Sequence, residues 1–236
     1  DRYMHLEKLK IFPIESWEVD PNAYISRLVY QDEKVEELKE NVFYTYRLAS
    51  SKTGFISWKI EALEDSEFYF LFDELDSSKG KKKPIEILFY RNTTHNIISY
   101  VCKKGIHHHI TIEPYTMQFL RLVVKKGNIR VHNLDFIPYE NPLIAAISYQ
   151  FSNYKIQKVA DAAIDTFRQN AVDILTDCPS RERAGWLCDS YFTGKSESLI
   201  CKENKVEHNF LENYALLEQY PYLPKGMVPM CYPGDH

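Results

Sequence analysis

The sequence predicts a mostly antiparallel β-sandwich followed by a small α-helical segment, and a change of pattern carries this prediction. Between residues 1 and 141, short runs rich in β-branched and aromatic residues alternate with polar breaks. From residue 142 onward, apolar residues recur at helical spacing instead. We therefore predict two domains, an accessory sandwich at 1–141 and a helical segment at 142–236, with the boundary at Asn141-Pro142.

Eight predicted strands supply the sandwich, which is enough for two sheets. They span Asn41–Ala49, Gly54–Leu63, Glu67–Leu75, Ile85–Tyr90, Asn96–Cys102, His108–Pro114, Met117–Val124 and Asn128–Tyr139. Turn residues separate the strands, including a predicted break at Ser50–Lys52 and a basic hairpin tip at Lys79–Lys83. Gly105 and Gly127 stand where a hairpin requires a positive φ, so we expect antiparallel pairing.

Three helices are predicted in the second domain. The first runs to about Leu175, with Ser152 or Asn153 as its N-cap. Its single apolar face consists of Ile156, Val159, Ala163, Phe167 and Ala171. The second helix is predicted at Asp189–Lys202 and the third at about Val206–Tyr220. From Pro221 onward, four prolines predict an extended loop.

Composition and charge exclude several classes of protein. Hydrophobic residues make up 44% and charged residues 26% of the chain, as in ordinary globular proteins. The net charge of −4 argues against a nucleic-acid partner, because phosphate binding requires clustered lysine and arginine. No apolar stretch approaches the roughly 20 residues that span a bilayer, and the first ten residues lack the apolar core of a signal peptide. We expect a soluble protein, either cytoplasmic or exported with its signal peptide removed.

The cysteines and histidines predict neither a disulfide framework nor a metal site. The five cysteines form an odd set without a CxxC motif, so we expect free thiols. His107 and His109 share one face of an extended strand, a spacing that two metal ligands can use, but no third ligand is evident nearby. We assign no metal and no cofactor. The aromatic share of 14% is typical of sugar-handling proteins and of sandwich cores alike.

The segment Asp177–Asp189, DCPSRERAGWLCD, is the candidate functional site. It combines three carboxylates, two arginines and a tryptophan. If a helix begins after Pro179, then Glu182, Trp186 and Asp189 lie at positions i, i+4 and i+7 and share one face. A ring can pack on the C–H face of a sugar, and carboxylates can bind its hydroxyls and glycosidic oxygen. The alternative interpretation is a capped helix start with surface ion pairs.

This segment resembles the motif of bacterial α-L-rhamnosidases, members of the six-hairpin glycosidases, in which a sequence close to DCPTRERAGWTGD opens the catalytic (α/α) barrel. Ten of the thirteen residues match. The resemblance implies that Glu182 is the general acid. The residues implied to bind the substrate are Asp177, Arg181, Trp186 and Asp189. The departures are Ser180 and the pair Leu187-Cys188, which replaces Thr-Gly beside Asp189 and bears on which sugar is accepted.

The resemblance also implies that the barrel is incomplete. Six helical hairpins need twelve helices, whereas 236 − 141 leaves about 95 residues after Asn141. We therefore expect a fragment of an inverting glycoside hydrolase that cleaves terminal sugars, inactive by itself, whose general base lies outside this chain. Two alternatives remain: a non-catalytic carbohydrate-binding or structural sandwich with a vestigial motif, and a relative that acts on another glycoside. The sequence does not indicate an oligomeric state.

Overall fold

The structure is a computed structural model, and its contacts divide the chain into two compact units. It describes residues 9–10, 13–20, 25–28, 37–77, 87–88, 90–91, 94–144, 149–201, 203–216 and 223–233. One unit is His5–Pro138 and the other contains Tyr139–His236. The strands of the sandwich lie in the first unit and the three helices lie in the second.

The first unit contains twelve strands among its described residues. They are β1 (Leu9–Lys10), β2 (Pro13–Asp20), β3 (Ile25–Leu28), β4 (Glu37–Leu38), β5 (Val42–Ala62), β6 (Ser66–Asp73), β7 (Tyr90–Arg91), β8 (Thr94–His95), β9 (Ile97–Cys102), β10 (Gly105–Ile110), β11 (Tyr115–Lys126) and β12 (Ile129–Pro138). Each of the strand pairs formed by these residues is antiparallel. The prediction of a mostly antiparallel β-sandwich followed by helices is confirmed.

Strand β5 connects the two halves of the sandwich. Its first half pairs with β2 and β11, and its second half pairs with β10 and β12. Trp58, in the second half, contacts Phe70 of β6 with ring centroids 5.0 Å apart. Since β6 pairs with β11, this contact shows that the two groups of strands face each other across one core.

The predicted turn at Ser50–Lys52 is wrong, because β5 continues through it. Met117 pairs with Lys52 whereas Phe119 pairs with Arg47, so the register between β11 and β5 shifts at this point. Such an irregularity places extra residues on one strand without ending the pairing. The polar residues that looked like a turn therefore belong to a bulge in a continuous strand.

The core of the sandwich follows from the period-two pattern of its strands. Phe68, Phe70 and Phe72 of β6 alternate with less buried residues, and each is at most 2% exposed. Burying one such side chain contributes about 1.5–3 kcal/mol. Phe136 of β12 and Leu122 of β11 are fully buried in the same cluster.

The strand predictions missed the early and the shortest strands, and one predicted strand lies partly outside the described residues. Strands of two residues, such as β1, β4, β7 and β8, are too short to show a period. Strand β10 begins at Gly105, three residues before the predicted start. The predicted hairpin tip at Lys79–Lys83 lies outside the described residues. Of the predicted strand Ile85–Tyr90, the structure describes only residues 87, 88 and 90.

The second unit contains α1 (Tyr154–Asn170), β13 (Gly185–Trp186), α2 (Leu187–Ile200), α3 (Lys205–Ala215) and β14 (Cys231–Tyr232). The described residues of this unit form three helices, as predicted. The side chain of Asn153 caps α1 by accepting a hydrogen bond from the backbone N–H of Lys155 at 2.9 Å. Among the helices of the described residues, none has the length and apolar character needed to cross a membrane.

The helix boundaries differ from the predictions in ways that hydrogen bonds explain. Helix α1 ends at Asn170 rather than near Leu175, because both the backbone N–H and the hydroxyl of Thr176 donate to the carbonyl of Asn170. Helix α2 begins two residues earlier than predicted, and α3 ends at Ala215. The end predicted for α3 at Tyr220 lies outside the described residues.

The apolar face of α1 is buried only toward its C-terminal end. Phe167 is 7% exposed, whereas Ile156 and Val159 are 50% and 69% exposed. Phe167 packs in a cluster with Leu175 and with Phe210 of α3. The helical period was predicted, but the period alone does not say how much of a face finds a partner.

A buried carboxylate joins α2 to α3. Glu197 of α2 is fully buried and accepts hydrogen bonds from the backbone N–H groups of Val206 at 2.9 Å and Glu207 at 2.7 Å. These two amides belong to the first turn of α3, where backbone N–H groups have no partner within the helix. Glu197 therefore fixes the start of α3 relative to α2.

Candidate active site

The candidate site lies on the connection between α1 and α2. A turn covers Pro179–Glu182, Gly185 and Trp186 form β13, and helix α2 begins at Leu187. Strand β13 pairs with β14, and the N–H of Leu187 donates to the carbonyl of Met230 at 3.0 Å. The C-terminal part of the site segment therefore forms one strand of a two-stranded sheet and continues directly into α2.

The helix expected after Pro179 is wrong. Arg183 has a φ of 53°, in the left-handed region that a right-handed helix does not use. The chain reverses there, and the N–H of Asp177 donates to the carbonyl of Ala184 at 2.9 Å. Glu182 and Asp189 consequently do not lie on one helix face.

Glu182 and Trp186 nevertheless come together. The indole Nε1–H of Trp186 donates to Oε2 of Glu182 at 2.8 Å, and the guanidinium of Arg181 pairs with Oε1 of the same carboxylate. The Glu182 side chain is 33% exposed and that of Arg181 is 47% exposed. The turn places the indole against the acid and leaves part of the acid open to a ligand.

The two aspartates of the segment lie in different surroundings. Asp177 is half-buried, and its Oδ1 accepts a hydrogen bond from the N–H of Ala184 at 3.4 Å. Asp189 is exposed in the first turn of α2. In the described part of the chain, neither aspartate forms a hydrogen bond with Glu182. The structure therefore joins Arg181, Glu182 and Trp186 directly, and places the aspartates at the two ends of the segment.

Two aromatic residues of α3 pack against β13. The buried Tyr214 hydroxyl donates to the carbonyl of Gly185 at 2.9 Å. A side chain at Gly185 would collide with the ring of Phe210, so glycine is required there by close packing. Both aromatic residues lie within the predicted third helix, but their contact with the site segment depends on tertiary packing.

Strand β14 is another feature that the sequence did not reveal. The proline-rich stretch from Pro221 predicted an extended loop, and within it Cys231 and Tyr232 pair with Trp186 and Gly185. Cys231 is 2% exposed, so the strand is anchored by a buried side chain. A two-residue strand flanked by prolines carries no periodic signal.

No metal centre is indicated in the described residues. The Nε2–H of His107 donates to the carbonyl of Lys103 at 2.8 Å, and the ring of His109 stacks on Trp58 with centroids 5.5 Å apart. Within the described ranges, no three histidine, cysteine, aspartate or glutamate side chains form a group that could hold a metal ion. Each cysteine is a free thiol, and burial, followed by the nearby Glu197, raises the pKa of Cys201 to about 11.

Solved structures of rhamnosidases are similar to this chain. The GH78 family rhamnosidase of Bacillus sp. GL1 is similar with a TM-score of 0.66 and 17% identity, over 89% of this chain and 20% of that chain. A rhamnosidase from Klebsiella oxytoca with rhamnose bound gives 0.64 and 13%, over 89% of this chain and 44% of that chain. An α-L-rhamnosidase from Dictyoglomus thermophilum gives 0.62 and 16%, over 97% of this chain and 24% of that chain.

These similarities show that the chain shares the fold of part of these enzymes. Residues 146–235 match the family model described as the bacterial alpha-L-rhamnosidase 6 hairpin glycosidase domain. The resemblance to bacterial α-L-rhamnosidases predicted from Asp177–Asp189 is therefore confirmed. The chain spans less than half the length of the three similar enzymes. No curated protein matches its sequence.

Proposed function

We propose that this chain is part of an α-L-rhamnosidase-like inverting glycoside hydrolase that cleaves terminal sugars from glycans or glycosides. The observation that carries the proposal is the contact between Glu182 and Trp186, at 2.8 Å, on a segment that the family model covers. A partly exposed carboxyl group beside an indole has the two chemical elements that a sugar-cleaving site needs: a proton donor and an apolar surface for a sugar ring.

In the proposed mechanism, Glu182 is the general acid. Its carboxyl group donates a proton to the glycosidic oxygen while water attacks the anomeric carbon from the opposite face of the ring. In an inverting enzyme a second carboxylate activates that water and lies about 6.5–9.5 Å from the acid. We place this general base outside the present chain, which agrees with the 20% share of the Bacillus enzyme that the chain spans. The isolated chain is then inactive.

The ion pair between Arg181 and Glu182 fits this mechanism as a resting arrangement. Half-exposed ion pairs contribute only about 0–1 kcal/mol, so a sugar hydroxyl can displace the guanidinium at low cost. Arg181 is then free to bind the sugar, while Trp186 packs against the ring. Asp177 and Asp189, at the ends of the segment, bind sugar hydroxyls. Leu187-Cys188 borders Asp189, so the identity of the sugar is tested with a panel of aryl glycosides.

The decisive experiment is Glu182→Gln in a protein that carries this chain within a complete catalytic domain. We expect the turnover of an aryl α-L-rhamnoside to fall by about 10²–10⁴-fold, because glutamine cannot donate the proton, and we expect sugar binding to persist. Glu203→Gln is the matched control, because Glu203 is 60% exposed and pairs with Lys205 away from the segment. Unchanged turnover with Glu182→Gln would refute the proposal and favour a non-catalytic sugar-binding module.

A further inference from the structure

Cys178 contacts the backbone of the proposed general acid. Its Sγ accepts a hydrogen bond from the backbone N–H of Glu182 at 3.4 Å, and its carbonyl oxygen accepts one from the N–H of Arg183 at 3.0 Å. The side chain of Cys178 is half-buried inside the turn. Through its sulfur and its carbonyl oxygen, Cys178 therefore binds the backbone amides of two successive residues, Glu182 and Arg183.

The turn needs such contacts because its conformation is unfavourable by itself. Arg183 has a φ of 53°, which costs energy for a residue with a β-carbon. The bond between Asp177 and Ala184 closes the base of the turn. The contacts of Cys178 lie within the turn, at the backbone of Glu182 and Arg183. These contacts set the position of the Glu182 backbone, from which its side chain extends.

The position of that side chain matters because its partner is fixed independently. Trp186 belongs to β13, which is held by β14 and by the hydroxyl of Tyr214. The carboxylate of Glu182 meets the indole only if the turn places the Glu182 backbone within reach. A displacement of 1 Å at a reacting group can cost about 100-fold in rate.

We propose that Cys178 is a positioning residue, whose sulfur holds the backbone amide of Glu182 so that the carboxylate meets the indole of Trp186. This inference rests on the proposed function of Glu182. Cys178 itself touches neither the sugar nor the reacting atoms in this scheme. It acts as a hydrogen-bond acceptor, so acceptor capacity rather than volume decides which residues can replace it.

Two substitutions separate these properties. Cys178→Ser keeps an acceptor in a smaller side chain, and Cys178→Val fills the same space with a larger side chain that has no acceptor. The first readout is the indole N–H resonance of Trp186 in nitrogen–proton NMR spectra of this chain, assigned with Trp186→Phe. We expect the serine variant to keep the hydrogen-bonded resonance and the valine variant to shift it toward that of a free indole. Cys188→Ser, at an exposed thiol, is the control and leaves it unchanged.

The second readout is the hydrolysis of an aryl α-L-rhamnoside by the same variants in a complete catalytic domain. We expect Cys178→Val to lower kcat by about 100-fold with little change in KM, and Cys178→Ser to restore most of it. An unshifted indole resonance in the valine variant, or a shifted one in the serine variant, overturns the inference. Should the valine variant not fold, Cys178→Ala takes its place with the same expectation. If the unsubstituted protein cleaves no glycoside, the proposed function fails, while the indole resonances still decide the role of Cys178.

Discussion

Tyr214→Phe tests whether α3 supports the site segment through a buried hydrogen bond. The Tyr214 hydroxyl donates to the carbonyl of Gly185 at 2.9 Å, and Tyr214 is 6% exposed. Phenylalanine keeps the ring and removes the donor, so a buried acceptor loses this partner. Such a loss costs about 1–3 kcal/mol. With a urea dependence of about 2 kcal/mol per M, a loss of about 2 kcal/mol lowers the unfolding midpoint by about 1 M.

The assay is urea unfolding followed by far-ultraviolet circular dichroism, to which the three helices of the second unit contribute the helical signal. Tyr191→Phe is the matched control, because it also removes a tyrosine hydroxyl, and Tyr191 is 60% exposed. Exposed substitutions of this kind change the free energy of unfolding by less than about 0.5 kcal/mol. Equal midpoints for the two variants would show that the buried hydrogen bond does not stabilise β13.

Two further predictions concern packing and thiol reactivity in the same unit. Gly185→Ala should lower the free energy of unfolding by about 1–3 kcal/mol, because the new methyl group collides with the Phe210 ring. In Gly194→Ala the methyl group meets the flexible side chain of Glu207, so this variant should be as stable as the original protein or more stable. Thermal unfolding of both variants measures the difference. At about pH 8, iodoacetamide should modify the exposed Cys188 and spare Cys201, whose pKa of about 11 leaves roughly one thiolate in a thousand, as peptide mass spectrometry will show. Equal stability of the two alanine variants, or modification of folded Cys201 at the rate of Cys188, would contradict the respective arguments.

The elements that the sequence predicted correctly have a strong local signal. The alternation in β6 buries Phe68, Phe70 and Phe72, as a period of two requires. Asn153 caps α1 through its own side chain, a contact that spans two residues. In both cases the information lies within a few consecutive residues, so pattern and structure agree.

The errors occur where distant parts of the chain decide the local conformation. The continuity of β5 through Ser50–Lys52 depends on its pairing with β11, more than sixty residues away in the sequence. The turn at Pro179–Glu182 depends on the positive φ of Arg183 and on the pairing of β13 with β14. Pro179 suits the first position of a helix, but tertiary contacts override this local preference.

The candidate site illustrates the same limit. The sequence predicted that Glu182 and Trp186 are neighbours, and the structure brings them together, but through a turn and a strand rather than a helical turn. The support from Tyr214 and the contact from Cys178 are absent from any linear pattern. The substitutions Glu182→Gln and Cys178→Val test the proposed roles of this segment.

The long strand β5 has a consequence for the order in which the first unit folds. Tyr44 pairs with Leu122 and Ile60 pairs with Val131. Both halves of β5 therefore pair with strands that are synthesised much later. The layer that contains β11 cannot close before the chain has been synthesised to about Lys126, and the layer that contains β12 cannot close before about Pro138. High contact order of this kind slows folding, and a chain truncated within β11 or β12 would lack a partner strand for one half of β5.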